Sequence, residues 1–313
     1  MGSIRVTSGT GYPRRMPAPV DSRPATAVLG EAEWTAARSE HERRVDAWTA
    51  GHLERARRGE RHPVEDFLFT YYSFRPAQLR RWHPGPGVVL AGDAAKGHLR
   101  WDGYVQTDEG VTLDTATVVA RRASVLRQVQ ELAQRTASRP AQFSCFGLHE
   151  WAMVYRQAPD LVRHPAWPLR LGPAGVAEVV EAQLLRCTHF DAFRFFTAPA
   201  RPRNNVTPTR EKVLELEQGG CLHTIMDLYK WSYKLAPLTP SALVADAFSL
   251  AREVRELDMR SSPYDFSTLG YLPVRIEEPA GRAQYAATQR RFAARGAEIR
   301  ARLLALTTSA LGE

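Results

Sequence analysis

The chain has 313 residues, a net charge of +8 at pH 7 and three cysteines. This length allows one large domain or two smaller ones, and three widely spaced cysteines without a CxxC pair indicate neither a disulfide framework nor a structural zinc knuckle. No apolar run reaches about eighteen residues and no signal-peptide pattern opens the chain, so the sequence predicts a cytoplasmic protein without a membrane role.

The basic excess favours polyanionic partners, because cationic surfaces attract phosphate backbones. Only four of the 42 basic residues are lysine, however. A skew of this size is typical of GC-rich genomes, which raise the arginine content of all their proteins. Charge therefore leaves nucleic-acid binding open without establishing it.

Residues 1–28 are rich in Pro, Ser, Gly and Arg and lack hydrophobic periodicity, which predicts a disordered arm. We predict that residues 29–140 form an N-terminal lobe. In chain order its elements are a helix, an aromatic segment that begins helical and ends in a Pro-rich loop, a small antiparallel β-meander and a second helix, at 31–60, 62–87, 88–115 and 118–137.

Residues 141–313 are predicted to form a helical lobe that carries the site. Helical spacing recurs at 146–157, 173–185, 209–217, 222–235, 241–257 and 281–306. The segment 188–197 is ambiguous between strand and helix, and Ser241 is a candidate N-cap. The predicted fold class is α+β, predominantly α-helical with one small antiparallel meander.

In four sequence blocks, ionisable residues lie among apolar or aromatic ones. The blocks are SCFGLHEWAMVYR, CTHFDAFRFF, CLHTIMDLYKWSYK and RELDMRSSPYD. Because burying an unpaired ionisable group is costly, such groups mark either internal ion pairs or a functional site. Together the blocks predict a site between His149 and Asp265, in which distant segments surround one cavity. No Walker A, dinucleotide-binding or GxSxG motif is present, which argues against NTPases, Rossmann oxidoreductases and serine hydrolases.

One helix face in the third block carries four polar residues at helical spacing: His223, Asp227, Lys230 and Lys234. This face is either solvated, with an ordinary Asp–Lys pair, or part of a site. In a chain so poor in lysine, two lysines on one face suggest chemistry that arginine cannot perform, such as that of a desolvated amine.

Imidazoles and carboxylates of the same blocks are also donor types for a divalent metal ion such as Fe, Mn or Zn. The candidate ligands are His149, His189, Asp191, His223 and Asp227. Their spacing is unspecific, because no HExxH, HxH or HxxxH pair occurs. Structural histidines with ordinary partners are the alternative.

The aromatic segment alternates rings with cations. Its members are Tyr71, Tyr72, Phe74 and Trp82, interleaved with Arg75, Arg80 and Arg81. This mixture is typical of a surface that stacks on bases and contacts phosphates. Helical spacing of the rings equally favours a place in the core.

At HPVEDFLFTYYSFRPAQLRRWHPGPGVVL, HFDAFRFF, EQGGCLHTIMDLYKWSYKL and RELDMRSSPYD, the chain resembles a family of actinobacterial proteins labelled 3-methyladenine DNA glycosylase. The resemblance spans roughly residues 33–304. It implies a DNA-repair hydrolase that acts on DNA, flips out an alkylated purine and cleaves its N-glycosidic bond without a cofactor. Such an enzyme needs an aromatic pocket and a carboxylate that steadies the oxocarbenium-like sugar and orients water.

For this chemistry the candidate carboxylate is Glu150 or Asp227, and the candidate polar groups of the pocket are His149, His189 and His223. Tyr72 and Trp151 are the candidate stacking walls. The candidates for phosphate contact are Arg75, Arg80, Arg81, Lys230 and Lys234. Two other functions stay open, a metal-dependent enzyme acting on a small molecule and a non-catalytic protein that binds nucleic acid or a partner.

Overall fold

The fold joins a mostly helical body to one small sheet, and the computed structural model describes it for residues 27–158 and 166–313. The strands are β1 Ala27–Leu29, β2 Val88–Leu90, β3 Tyr104–Thr107 and β4 Gly110–Leu113. The helices are α1 Glu31–Arg58, α2 Phe67–Tyr71, α3 Pro76–Leu79, α4 Thr115–Ser138, α5 Leu148–Ala152, α6 Gly172–Glu181, α7 Phe190–Phe193, α8 Val213–Leu216, α9 Leu222–Lys234, α10 Ser241–Arg260 and α11 Pro279–Leu311. The α+β class is confirmed.

The sheet is mixed, so the prediction of an antiparallel meander is wrong. Its strand order is β1-β2-β4-β3, and β1 runs parallel to β2 while the other neighbours are antiparallel. The prediction failed because Ala27 and Val28, assigned to the disordered arm, form the parallel edge strand. Residues 1–26, the rest of that arm, lie outside the described residues.

The long helices lie close to the predicted positions. In α1, Trp34 and Val45 are fully buried, and Gly59 ends the helix in the left-handed conformation that suits glycine. Ser241 does not cap α10 as predicted, because Pro240 holds the N-cap position. The Ser241 hydroxyl instead accepts a hydrogen bond from the backbone N–H of His83, and this bond fixes the Pro-rich loop onto α10.

Buried side chains from both sides of residue 140 belong to one continuous core, which extends from Trp34 to Leu303. The helices α9, α10, α11 and α4 pack against one another around it. The division into two lobes at residue 140 stays a prediction. Among the described residues, no helix has both the length and the apolar character needed to cross a bilayer.

Asp66 fixes the turn between α1 and α2. Its carboxylate accepts hydrogen bonds from Arg55 at 2.6 Å and from the backbone N–H of His62 at 2.7 Å, and His52 lies 3.0 Å away. Burial alone would raise the pKa of Asp66, but the hydrogen bonds from Arg55 and His62 more than offset this and lower it. The carboxylate therefore stabilises the fold in its charged form.

We expect Asp66→Asn to lower the free energy of unfolding by about 2–3 kcal/mol, because Arg55 would lose its most buried partner. A carboxyl group with a lowered pKa contributes stability above its unfolded pKa of about 3.9, and that contribution is lost as pH falls through the folded-state value. Urea unfolding at pH 7 and at pH 3 measures both effects. A variant as stable as the wild type at pH 7 would contradict this account.

Candidate functional site

Three histidine rings from separate segments meet beside α9. The ring of His223, on α9, lies 4.6 Å from the ring of His149 on α5 and 5.2 Å from the ring of His189, the residue preceding α7. All three are buried. The convergence follows from the packing of α9 against α10, which brings Asp258 to the same place.

On one side of His223, a chain of four charged groups links α5 to α10. His149 Nε2 lies 2.8 Å from Asp258 Oδ1, and the Arg255 guanidinium lies 3.1 Å from Asp258 Oδ2 and 3.4 Å from Glu150 Oε1. Burial would lower the pKa of His149, but the Asp258 carboxylate more than offsets this and raises it well above its usual value. Each charge in this group therefore has an opposite charge beside it.

His223 has the opposite character. Burial, followed by the charge of His149, lowers the pKa of His223 well below its usual value, so its imidazole is neutral. Its Nδ1 has no hydrogen-bond partner among residues 27–158 and 166–313. A neutral, incompletely bonded imidazole in such a place is available as a base, as a hydrogen-bond acceptor or as a metal ligand.

On the other side of His223, Asp227 is the centre of a second network. The Tyr72 hydroxyl donates to Asp227 Oδ1 at 2.8 Å, Lys230 binds Oδ2, and His189 Nε2 lies 3.6 Å from Oδ2. Glu217 Oε1 lies 3.4 Å from the same histidine nitrogen. Burial would lower the pKa of Lys230, but Asp227 raises it. Lys230 is therefore a charged partner of Asp227, which argues against the neutral amine considered above.

A cavity of about 220 Å³ opens beside these networks. Its walls are formed by Phe67, Thr70, Tyr71, Glu150, Met153, Asp191, Phe195, His223 and Arg255. Three rings, two carboxylates, one guanidinium and one neutral imidazole thus face a single space. Segments distant in sequence share this cavity, and of the five residues predicted to carry the chemistry Glu150 and His223 are among those that line it.

The two rings proposed as stacking walls lie elsewhere. Trp151 is fully buried in the core, and its indole N–H donates to the carbonyl of Ser261 at 2.8 Å. Tyr72 is buried against Asp227. The rings that line the cavity are Phe67, Tyr71 and Phe195.

The five proposed phosphate contacts fall into two groups. Arg80 is paired with Asp46 at 2.8 Å and with Glu42 at 3.0 Å, and Lys230 is bound to Asp227. The other three, Arg75, Arg81 and Lys234, are exposed. Phe74 stacks on Tyr233 with ring centroids 4.7 Å apart. That contact places the start of α3 beside the C-terminal half of α9, and so Arg75 and Lys234 lie on neighbouring elements.

The proposed metal ligands are divided among three places. His149 and His223 lie together with Asp258, which sequence analysis did not select, and one ligand atom of each lies within 4.8 Å of the others. His189 and Asp227 belong to the second network. Asp191 lies on the cavity wall, 4.0 Å from the Lys230 ammonium.

Comparison of the chain with protein families, with curated proteins and with solved structures finds no match in any of the three. The chemistry of the cavity must therefore be argued from its own residues. Glu150 is a carboxylate that Arg255 holds at the cavity wall, and His223 is a neutral acceptor that lines the same cavity. These two groups suit acid–base or electrostatic catalysis on a small ring that stacks on the aromatic side chains of the cavity.

Proposed function

We propose that the protein is a DNA-repair glycosylase that releases alkylated purine bases by hydrolysing the N-glycosidic bond. The observation that carries the proposal is the cavity in which Phe67, Tyr71 and Phe195 surround a space that also meets Glu150 and Asp191. A flipped base is recognised by stacking between rings and by hydrogen bonds to its edge. The proposal assigns the protein to the cytoplasm, with DNA as its partner.

The volume of the cavity supports a ligand of one base. Pockets for drug-sized ligands have volumes of about 300–1000 Å³, whereas this cavity measures about 220 Å³. A single purine suits this space better than a whole nucleotide does. The phosphate of a flipped nucleotide would therefore stay outside the cavity, with the sugar at its opening.

The charges of the cavity support an alkylated rather than a normal base. Alkylation on a ring nitrogen gives the purine a positive charge and weakens its bond to the sugar. Carboxylates on the wall attract such a base, and a carboxylate beside the sugar steadies the oxocarbenium-like transition state. We assign this role to Glu150, because Arg255 fixes it at the wall, whereas both oxygens of Asp227 are already bound.

The surroundings of the cavity offer room for the rest of the DNA strand. Phe67 and Thr70 also line a groove of about 600 Å³, so the cavity and the groove adjoin. Arg61 and Trp167 belong to this groove. A cation for phosphate and a ring for a neighbouring base are the elements that single-strand binding uses.

The direct test is base release from methylated duplex DNA, followed by chromatography of the freed bases. We expect purified protein to liberate alkylated purines and to leave normal bases in place. Binding of the same DNA should weaken steeply as salt rises. Absence of both base release and salt-dependent binding would end the proposal.

Salt dependence also tests which cations contact phosphate. The triple variant Arg75→Gln, Arg81→Gln, Lys234→Gln should make the negative slope of log K against log salt shallower by up to about 2.7, because each phosphate contact contributes about −0.9 to it. Arg80→Gln is the matched control, since its guanidinium is already paired with Asp46 and Glu42. A triple variant with the wild-type slope would place the DNA on another face.

A further inference from the structure

We propose that His149, His223 and Asp258 bind one divalent transition-metal ion at the inner wall of the cavity. The three residues come from α5, α9 and α10, and one ligand atom of each lies within 4.8 Å of the others. All three are buried. The inference is independent of the proposed glycosylase activity and needs no DNA.

The spacing of the ligand atoms suits an ion. Bonds of about 2.0–2.2 Å to one metal place neighbouring ligand atoms roughly 3.0–3.5 Å apart. The separation of His149 Nε2 and Asp258 Oδ1 is 2.8 Å, and the farthest pair in the set is within 4.8 Å. Shifts of the order of one ångström or less bring all three atoms into a coordination shell.

The outer contacts turn one ligand atom of His149 and one of Asp258 toward the proposed site. His149 Nδ1 faces the Cys145 sulfur at 3.6 Å, so that Nε2 is the nitrogen directed at the set. Arg255 donates a hydrogen bond to Asp258 Oδ2 at 3.1 Å, so that Oδ1 is the oxygen directed at the other two ligands. Metal-binding histidines and carboxylates are oriented in this way, through their second polar atom.

His223 supplies an independent observation. Its side chain is nine-tenths buried and its Nδ1 has no hydrogen-bond partner in the described part of the chain. A buried polar atom without a partner is destabilising. A metal ion bound to this nitrogen would remove the cost, and it would take the place of the proton that His149 Nε2 shares with Asp258 Oδ1.

The donor set indicates the class of ion. Two imidazoles and one carboxylate suit Fe²⁺, Mn²⁺, Co²⁺ or Zn²⁺, whereas Mg²⁺ and Ca²⁺ prefer sites made of oxygen atoms. Three protein ligands leave positions for water or substrate. Because His223 lines the cavity, an open position there would act on whatever occupies it, as a Lewis acid or through bound hydroxide.

The test uses Co²⁺, whose visible absorption reports ligand number and type without any activity assay. Chelator-treated full-length protein is titrated with Co²⁺, and metal in the protein as purified is measured by elemental analysis. We expect about one equivalent of Co²⁺ with a visible band. His223→Gln should weaken binding by more than the roughly 10–100-fold that loss of an outer-shell partner costs.

His189→Gln is the matched control, because His189 is buried against His223 but is not one of the three ligands. Its affinity should stay within about threefold of the wild type. Within residues 27–158 and 166–313, His223 Nδ1 has no hydrogen-bond partner, so we expect the His223 variant to keep the fold, which circular dichroism verifies. Absence of Co²⁺ binding by the wild type, or equal binding by the His223 variant, would overturn the proposal.

The two proposals fail separately. If the protein binds one metal ion but releases no base, the metal site is supported and the glycosylase proposal is contradicted. Base release that persists after complete metal removal, with no Co²⁺ binding, removes the metal site alone.

Discussion

Glu150→Gln is expected to lower base release at least about 100-fold at saturating DNA. The substitution keeps the size of the side chain and removes the charge that would face the developing positive charge of the sugar. Loss of about 1.4 kcal/mol of transition-state stabilisation gives each factor of ten. Affinity for DNA should change little, because the phosphate contacts are elsewhere on the surface.

The matched control for this variant is Asp191→Asn. Asp191 is the other carboxylate of the cavity wall. It lies 3.2 Å from the Arg194 guanidinium and 4.0 Å from the Lys230 ammonium. We expect a loss of less than about tenfold there, since its charge is already shared with two cations. If the two variants exchanged their effects, Asp191 would be the carboxylate beside the sugar, and an unchanged Glu150 variant would exclude it from the reaction.

Asp227→Asn is expected to lower the free energy of unfolding by about 3–5 kcal/mol, because it leaves the ammonium of Lys230 in a largely buried place without its partner. Asp227 is 3% exposed and binds Tyr72 and Lys230 at the same time. Its role in this account is structural. Urea unfolding monitored by tryptophan fluorescence gives the difference.

Two further variants separate the charge from the hydrogen bond. The double variant Asp227→Asn, Lys230→Met should recover much of the lost stability, since removal of both charges leaves neither one unpaired. Tyr72→Phe should cost only about 1 kcal/mol. A stable Asp227→Asn protein that had lost base release would show instead that Asp227 takes part in the chemistry.

Sequence periodicity predicted the long helices well and the short ones poorly. α4 and α11 each bury apolar residues at a helical spacing that can be read directly from the chain. α9 and α10 are instead buried on most sides, and among its apolar residues α1 buries only Trp34 and Val45. Helices of four or five residues, such as α2, α5 and α7, contain too few turns to show a period. Their bounds depend on tertiary packing instead.

The site could be predicted as a set of segments but not as a set of side chains. Tyr71 and Tyr72 are adjacent and chemically identical, yet α2 ends at Tyr71 and Tyr72 adopts an extended backbone, and of the two only Tyr71 lines the cavity. Asp258 lies three residues after Arg255 on a long helix, where the sequence suggests a solvated ion pair. Its contact with His149 on α5, at 2.8 Å, is a tertiary contact that the sequence does not show.

We propose that the cavity beside α2 holds an alkylated purine, and calorimetric titration with free 3-methyladenine measures this binding without DNA. We compare the wild type with Thr70→Trp, which would fill the cavity from its exposed rim, and with Thr70→Val, which keeps the size of threonine. The account predicts one binding site in the wild type and in Thr70→Val, and its loss in Thr70→Trp. No binding to the wild type, or equal binding to all three proteins, would contradict it.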